Sequence, residues 1–261
     1  MFIGSKSNPS TDFGERMLNA VATQSLRHLF TQSEQVEVTV RCFPSSKLLQ
    51  GSIDSFKMSG RHLVIRRQFE VEEMSFETDA VAIDFGSVVS GKLRLKQPTQ
   101  AVAQIVLVED AINRAFNADL VRQRLQHLDL PPLTNLSGGE PVSFRDVQIN
   151  LLPDNQVRIT AKTDLPNRTD VPIQLTATLA IEKRRRILFQ NPQFESEAVA
   201  EDLRGIAEIL TTGFAQVLNE MVDLDRFDLD GVTLRLNRLE THGKQLLFSG
   251  YAQIDRFPGV G

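Results

Sequence analysis

Tryptophan is absent from this chain, and tyrosine and cysteine each occur once in 261 residues. A single thiol, Cys42, excludes an intrachain disulfide and every cysteine-based zinc pattern, and nothing points to an oxidising compartment. No stretch of about 18 uncharged apolar residues occurs, so no bilayer-spanning helix is expected. The residues from Met1 to Thr11 hold Lys6 but no apolar run before a small-residue cleavage site, and do not read as a secretory signal. The expected address is the cytoplasm, with peripheral membrane contact. Neither sign of charge prevails: 29 basic and 33 acidic residues give a formal net charge of −4. That balance argues against a nucleic-acid binder relying on a general positive field, and any anion site must be local.

Catalytic signatures are missing as well. There is no Gly-x-Ser-x-Gly elbow, no His-Glu-x-x-His, no phosphate loop and no dinucleotide fingerprint. His28, His62, His127 and His242 are widely spaced and read as surface residues near helix ends or turns. Cys42 reads as a buried, inert thiol rather than a nucleophile. Neighbouring carboxylates such as Glu72-Glu73 and Glu201-Asp202 point apart on a strand or helix, which disfavours a shared proton. No catalytic residue, metal ligand or cofactor is assigned.

What is present is regular hydrophobic patterning. Three segments have helical period. The first runs from Phe13 to Phe30, with Met17, Leu18, Val21, Ala22, Leu26, Leu29 and Phe30 on one stripe and Asp12 placed to cap it. The second runs from Val108 to Leu128, with Ala111, Ile112, Ala115, Phe116 and Leu120 on one face. The third keeps three-and-four spacing through Leu203, Ile206, Ala207, Leu210, Phe214, Val217, Leu218 and Met221, despite Gly205 and Gly213. Elsewhere the period drops to two, as in Val36, Val38 and Val40, or Phe69 and Val71 followed one residue out of step by Met74 and Phe76. That slip predicts a bulge or bend near Glu73. Pro131 to Pro141 reads as an internal linker that either divides two domains or connects two parts of one sheet, the second being favoured. The expected class is α+β, a long antiparallel sheet covered by amphipathic helices; where it curls around a helix, its inside is either a filled core or a tube open to ligand. It forms a single elongated domain over 13–254, with residues 1–12 a flexible N-terminus.

Two compositional features suggest a ligand. Sixteen Phe against one Tyr give an interior with almost no polar ring substituents. The run Lys183-Arg184-Arg185-Arg186 is the sharpest local charge feature. It suits either an anionic head group or membrane surface, or a solvated hairpin turn.

The run Val36-Glu37-Val38-Thr39-Val40 through Pro44-Ser45-Ser46-Lys47-Leu48-Leu49-Gln50-Gly51, with strands at Ile53 to Met58 and Leu63 to Phe76, resembles the bacterial LmeA-like phospholipid-binding family. Glu109-Asp110-Ala111-Ile112-Asn113-Arg114-Ala115-Phe116-Asn117 resembles its middle helix, and Val232 to Ala252 its closing strands. The resemblance covers Phe13 to Ile254. It implies a tubular lipid-binding fold, in which a curled sheet wraps a helix and leaves an apolar groove for acyl chains, and no catalytic constellation. The absence of a visible export signal departs from exported relatives.

The expected function is therefore non-enzymatic binding or transfer of a phospholipid or fatty-acyl ligand. Candidate lipid contacts are Met17, Val21, Phe56, Phe69, Phe76, Ile112, Phe116, Leu210, Phe214 and Phe248. Candidate head-group or membrane contacts are Lys183, Arg184, Arg185 and Arg186. Two alternatives stay open at the sequence level: a solid-core module that docks a protein partner, and a hydrolase whose site is built from distant residues. Oligomeric state is not legible.

Overall fold

The computed structural model describes residues 9–27, 30–44, 46–65, 67–226 and 231–256. Its first part folds as α1 (Pro9–Arg27), β1 (Phe30–Gln32), β2 (Gln35–Arg41), α2 (Ser46–Leu49), β3 (Ser52–Ile53), β4 (Ser55–Ile65), β5 (Phe69–Thr78), β6 (Val81–Ala82), α3 (Phe85–Val89) and β7 (Thr99–Val108). The chain continues as α4 (Glu109–Phe116), α5 (Asp119–Arg122), α6 (Pro131–Thr134), β8 (Phe144–Leu151), β9 (Gln156–Leu165), β10 (Arg168–Glu182), β11 (Arg186–Phe194), α7 (Arg204–Met221), β12 (Val232–His242) and β13 (Gln245–Ile254). The class is α+β, with antiparallel strands and a large curved sheet.

That sheet has the order β1-β4-β5-β7-β13-β12, and β2 lies beside β1 along the same edge of β4. Every pairing is antiparallel, and β2 buries alternate residues, Val36, Val38 and Val40. The first four strands after the 131–141 segment, β8 to β11, do not continue it, and only β12 and β13 return to it. Those first four form a separate meander, β11-β10-β9-β8, which corrects the expectation of one sheet. Each sheet has its own apolar core: one around Leu18, Phe56, Met58, Leu63 and Ala101, the other around Phe144, Ile159, Ile173, Leu210 and Phe214.

The helices differ from expectation in instructive ways. α1 starts at Pro9, so Asp12 sits inside the helix rather than capping it; proline suits a first helical position because its missing N–H has no intrahelical partner there anyway. Phe30 is buried, but as the first residue of β1. Leu29 lies outside the described residues. The second helix stops at Phe116, because Asn117 turns its own amide onto the Asn113 carbonyl at 2.9 Å and Ala118 becomes extended. The third spans Arg204–Met221, within one residue of the expected start. Pro131 to Pro141 is docked rather than free. Leu133 is fully buried and presses on α7 at Gly213, where a Cβ would collide with the leucine methyls.

The slip near Glu73 is a bend without a register shift. Leu63 pairs with Val71 and Arg61 with Glu73 on an unbroken diagonal. Both strands change face at the intervening pair, where His62 takes φ +48° and its ring nitrogens lie 3.2 Å from Glu34 and from Glu72.

Sheet edges are closed mainly by helix side chains. On the free edge of β2, the Val40 and Cys42 amides donate to Asn19 Oδ1 at 2.7 Å and Glu15 Oε1 at 2.9 Å. On β8, the Ile149 and Leu151 amides donate to Asn113 Oδ1 at 2.7 Å and Glu109 Oε2 at 2.8 Å. On β11, the Phe189 amide donates to Asn219 Oδ1 at 2.6 Å. Unpaired strand amides would otherwise invite intermolecular pairing.

Candidate functional site

The inner face of the large sheet carries a band of apolar side chains that are only half-buried: Phe76 on β5, Ile105 and Leu107 on β7, Phe248 on β13, and Val232 and Leu234 on β12. Register makes the band continuous. Met74 faces Ile105, Ile105 faces Phe248 and Phe248 faces Leu239, while the next row runs Phe76, Ala103, Gly250, Leu236. Gly250 is required there, because a Cβ would strike the Arg235 carbonyl beside the β12 irregularity between Leu236 and Arg238. Leu107 packs against both cores, so the band lies where they meet. α4 enters the same region, packing on β8 of one sheet and on β5 and β7 of the other, and Arg114 pairs with Glu70 of β5.

The expected lipid contacts divide by depth. Phe56, Leu210 and Phe214 are 3%, 0% and 0% exposed and belong to packed core. The Phe214 ring centroid is 4.6 Å from that of Phe144. Val21, Phe69, Phe76, Ile112, Phe116 and Phe248 are half-buried, and Met17 is 38% exposed on α1. They also divide by core. Phe56 and Phe76 belong with the large sheet, whereas Ile112, Phe116, Leu210, Phe214 and Phe248 belong with the four-stranded sheet or its border.

The family described as LmeA-like phospholipid-binding matches residues 10–250. The chain belongs to this family. Neither a curated protein nor a solved structure matches it. Among the described residues, no helix is long and apolar enough to cross a membrane.

In this LmeA-like chain the basic run splits between two uses. Arg185 lies 2.6 Å from Asp225, and Arg186 lies 3.0 Å from Glu182 and donates to the Asn219 carbonyl at 2.9 Å. Those two arginines tie the turn to its surroundings. Lys183 and Arg184 occupy the exposed turn between β10 and β11, both at positive φ, and the Arg184 guanidinium carbon stands 5.7 Å from the Tyr251 ring centroid. The Arg184 carbonyl accepts from the Leu236 amide at 2.6 Å. This pins the turn beside the β12 end of the apolar band.

Burial pushes the Cys42 thiol up, with Asp54 adding to the effect. Among the described residues, no three His, Cys, Asp or Glu side chains gather as metal ligands. A cleft of about 330 Å³ lies on the opposite, polar face of the large sheet, lined by Gln35, Glu37, Arg61, Glu73, Ser75 and Gln104. Sequence reading passed over the half-buried residues Ile105, Leu107, Val232 and Leu234. They alternate like any core strand, and only the register shows that they share a border.

Proposed function

We propose that this protein binds one phospholipid non-enzymatically, with the acyl chains along the half-buried band and the head group near Lys183 and Arg184. Membership in a phospholipid-binding family supports lipid as the ligand class. The observation that carries the placement is the run Phe76, Ile105, Phe248 and Leu234, apolar yet incompletely covered where the two cores meet. Acyl burial contributes about 0.8 kcal/mol per CH₂, so a chain lying along four strands gains enough to offset its loss of freedom. The half-buried residues Val21, Phe69, Ile112 and Phe116 extend the apolar contact, while Phe56, Leu210 and Phe214 serve as the packed wall behind it. Lys183 and Arg184, exposed beside the β12 end, supply positive charge for a phosphate.

Solvent extraction of the natively purified protein followed by mass spectrometry is expected to return stoichiometric phospholipid. Ile105→Asp and Phe248→Asp place a carboxylate in the band and are expected to lower uptake of a fluorescent fatty-acid analogue by about tenfold, since a charge in apolar surroundings is strongly disfavoured. A stable, lipid-free wild-type protein that also fails to take up the analogue overturns the reading.

A further inference from the structure

The three most exposed large apolar side chains among the described residues are Phe43, Leu49 and Val89, at 71%, 70% and 63%. All three lie at one end of the large sheet, remote in sequence from the basic turn. Phe43 precedes α2, Leu49 ends it, and Val89 ends α3. The two segments are knitted together. Ser52 and Ile53 pair with Ala82 and Val81, Ile83 bridges to Leu95, the Ile83 amide donates to the Gly51 carbonyl at 2.8 Å, and Lys96 Nζ donates to the Gln50 carbonyl at 3.3 Å. Each exposed side chain has a buried neighbour in sequence, Cys42, Leu48 and Val88, all within the core of the large sheet. The tips are therefore carried on a fixed base.

Two stretches of the chain at this end carry basic residues alone. No acidic residue occurs between Glu37 and Asp54 or between Asp84 and Glu109, whereas Arg41, Lys47, Lys92, Arg94 and Lys96 fall inside those stretches. Of the acids at this end, Asp54 holds Lys47 at 2.6 Å, Asp84 caps α3 by accepting from the Gly86 amide at 3.0 Å, Glu15 accepts from the Cys42 amide at 2.9 Å and Asp255 from Gln253 Nε2 at 2.9 Å, while Asp79 is exposed just past β5. Lys92 and Arg94 are exposed, and among the described residues neither forms an ion pair. Apolar side chains that project from a rigid base beside Lys92 and Arg94, both exposed and outside any ion pair among the described residues, match the interface of an anionic bilayer, which takes apolar groups into the acyl boundary and cations at its phosphates. A protein partner would have to present an acidic rim to Lys92 and Arg94 around an apolar pocket.

We propose that the end formed by Phe43, Leu49 and Val89 with Lys92, Arg94 and Lys96 docks the protein on an anionic membrane surface. This surface is separate from the interior band, and its action does not depend on whether that interior holds a lipid.

The test is co-sedimentation of the full chain with vesicles of phosphatidylcholine mixed with phosphatidylglycerol, and with vesicles of phosphatidylcholine alone. Preferential binding to the mixed vesicles is expected. The triple variant F43S/L49S/V89S is expected to partition at least about tenfold more weakly, and K92E/K96E to lose the preference for anionic lipid. Leu120→Ser, which alters an exposed apolar residue elsewhere, should bind as wild type does. Thermal melts check the fold; if the triple variant does not fold, the surface-charge variant K92E/K96E decides. Absence of vesicle binding, equal binding to both vesicle types, or unchanged binding by K92E/K96E overturns the proposal. So does a wild-type dimer, seen by light scattering, that the triple variant abolishes, since the end would then be a self-contact.

Discussion

The first edge of the large sheet and the first edge of the four-stranded sheet are closed in the same way. In α1, Glu15 and Asn19 bond the Cys42 and Val40 amides; in α4, Glu109 and Asn113 bond the Leu151 and Ile149 amides. In each case a carboxylate and an amide one helical turn apart meet strand amides two residues apart. The remaining edges differ. On the four-stranded sheet, β11 is closed by α7, through Asn219 and through the Val222 carbonyl accepting from Ile187. On the large sheet, β12 is met by turns of the other sheet: Leu236 donates to the Arg184 carbonyl, Thr241 donates to Asn155 Oδ1 at 2.9 Å, and Asn155 returns a bond to Thr241 Oγ1 at 3.0 Å. The smaller sheet thus carries helical closures on both edges, while the larger depends on its neighbour for one. A short polar side chain at the border of an amphipathic face can stand in for a strand when the helix lies along the edge.

Phe214→Ala should have the largest effect on this arrangement, because it empties the packed centre of the four-stranded sheet against Phe144. A loss of about 3–5 kcal/mol is expected in denaturant melts. A smaller loss would show that the neighbouring side chains collapse into the space. The edge closures come next. Asn113→Ala and Asn219→Ala, and Asn19→Ala on the other sheet, should each cost about 1–3 kcal/mol by leaving a strand amide unpartnered. Equal losses at Asn19 and Asn113 would establish the two edges as equivalent; a negligible loss at Asn19 would show that water replaces it there. Gly213→Ala should destabilise by about 1–3 kcal/mol despite its better helix propensity, because the added methyl meets Leu133. Pairing it with Leu133→Ala should recover part of that loss, and failure to do so would point away from the collision.

The smallest effect is expected at the joint between the sheets. The guanidinium groups of Arg185 and Arg235 hold the Asp225 carboxyl below the usual carboxylate range. A carboxyl whose folded pKa is depressed stabilises the fold above its unfolded pKa and loses that contribution as pH falls through the folded value. The stability gap between wild type and Asp225→Asn should therefore be present at neutral pH and close in acid, on the low side of the ordinary carboxylate range. A gap that stays constant with pH would remove the ion pair as its cause.

Much of this architecture was legible in the residues. α7 was readable because its buried face keeps helical period for five turns, and the β2 strand because Val36, Val38 and Val40 alternate without interruption. The α4 break was hidden, since Ala115, Phe116 and Leu120 continue the apolar spacing past the point where Asn117 ends the helix. The edge-closing asparagines were also hidden: Asn19 was plain only as a residue off the apolar stripe. A faint signal did exist, in Glu15-Arg16-Met17-Leu18-Asn19 and Glu109-Asp110-Ala111-Ile112-Asn113, with Leu218-Asn219 in α7 repeating its last two positions.

The sequence by itself determined the class of the fold and the faces of its strands and helices, because these rest on the periodic spacing of apolar residues along one chain, and its short runs such as Pro44 to Gly51 carried the resemblance to its family. Only the tertiary structure decided that the strands divide into two large sheets and the short β3–β6 pair, that Arg185 and Arg186 are tied down while Lys183 and Arg184 remain exposed, and that Phe214 is core while Phe248 lies at a border. Those outcomes depend on register and on which neighbour covers each face, and residues far apart in the chain set both.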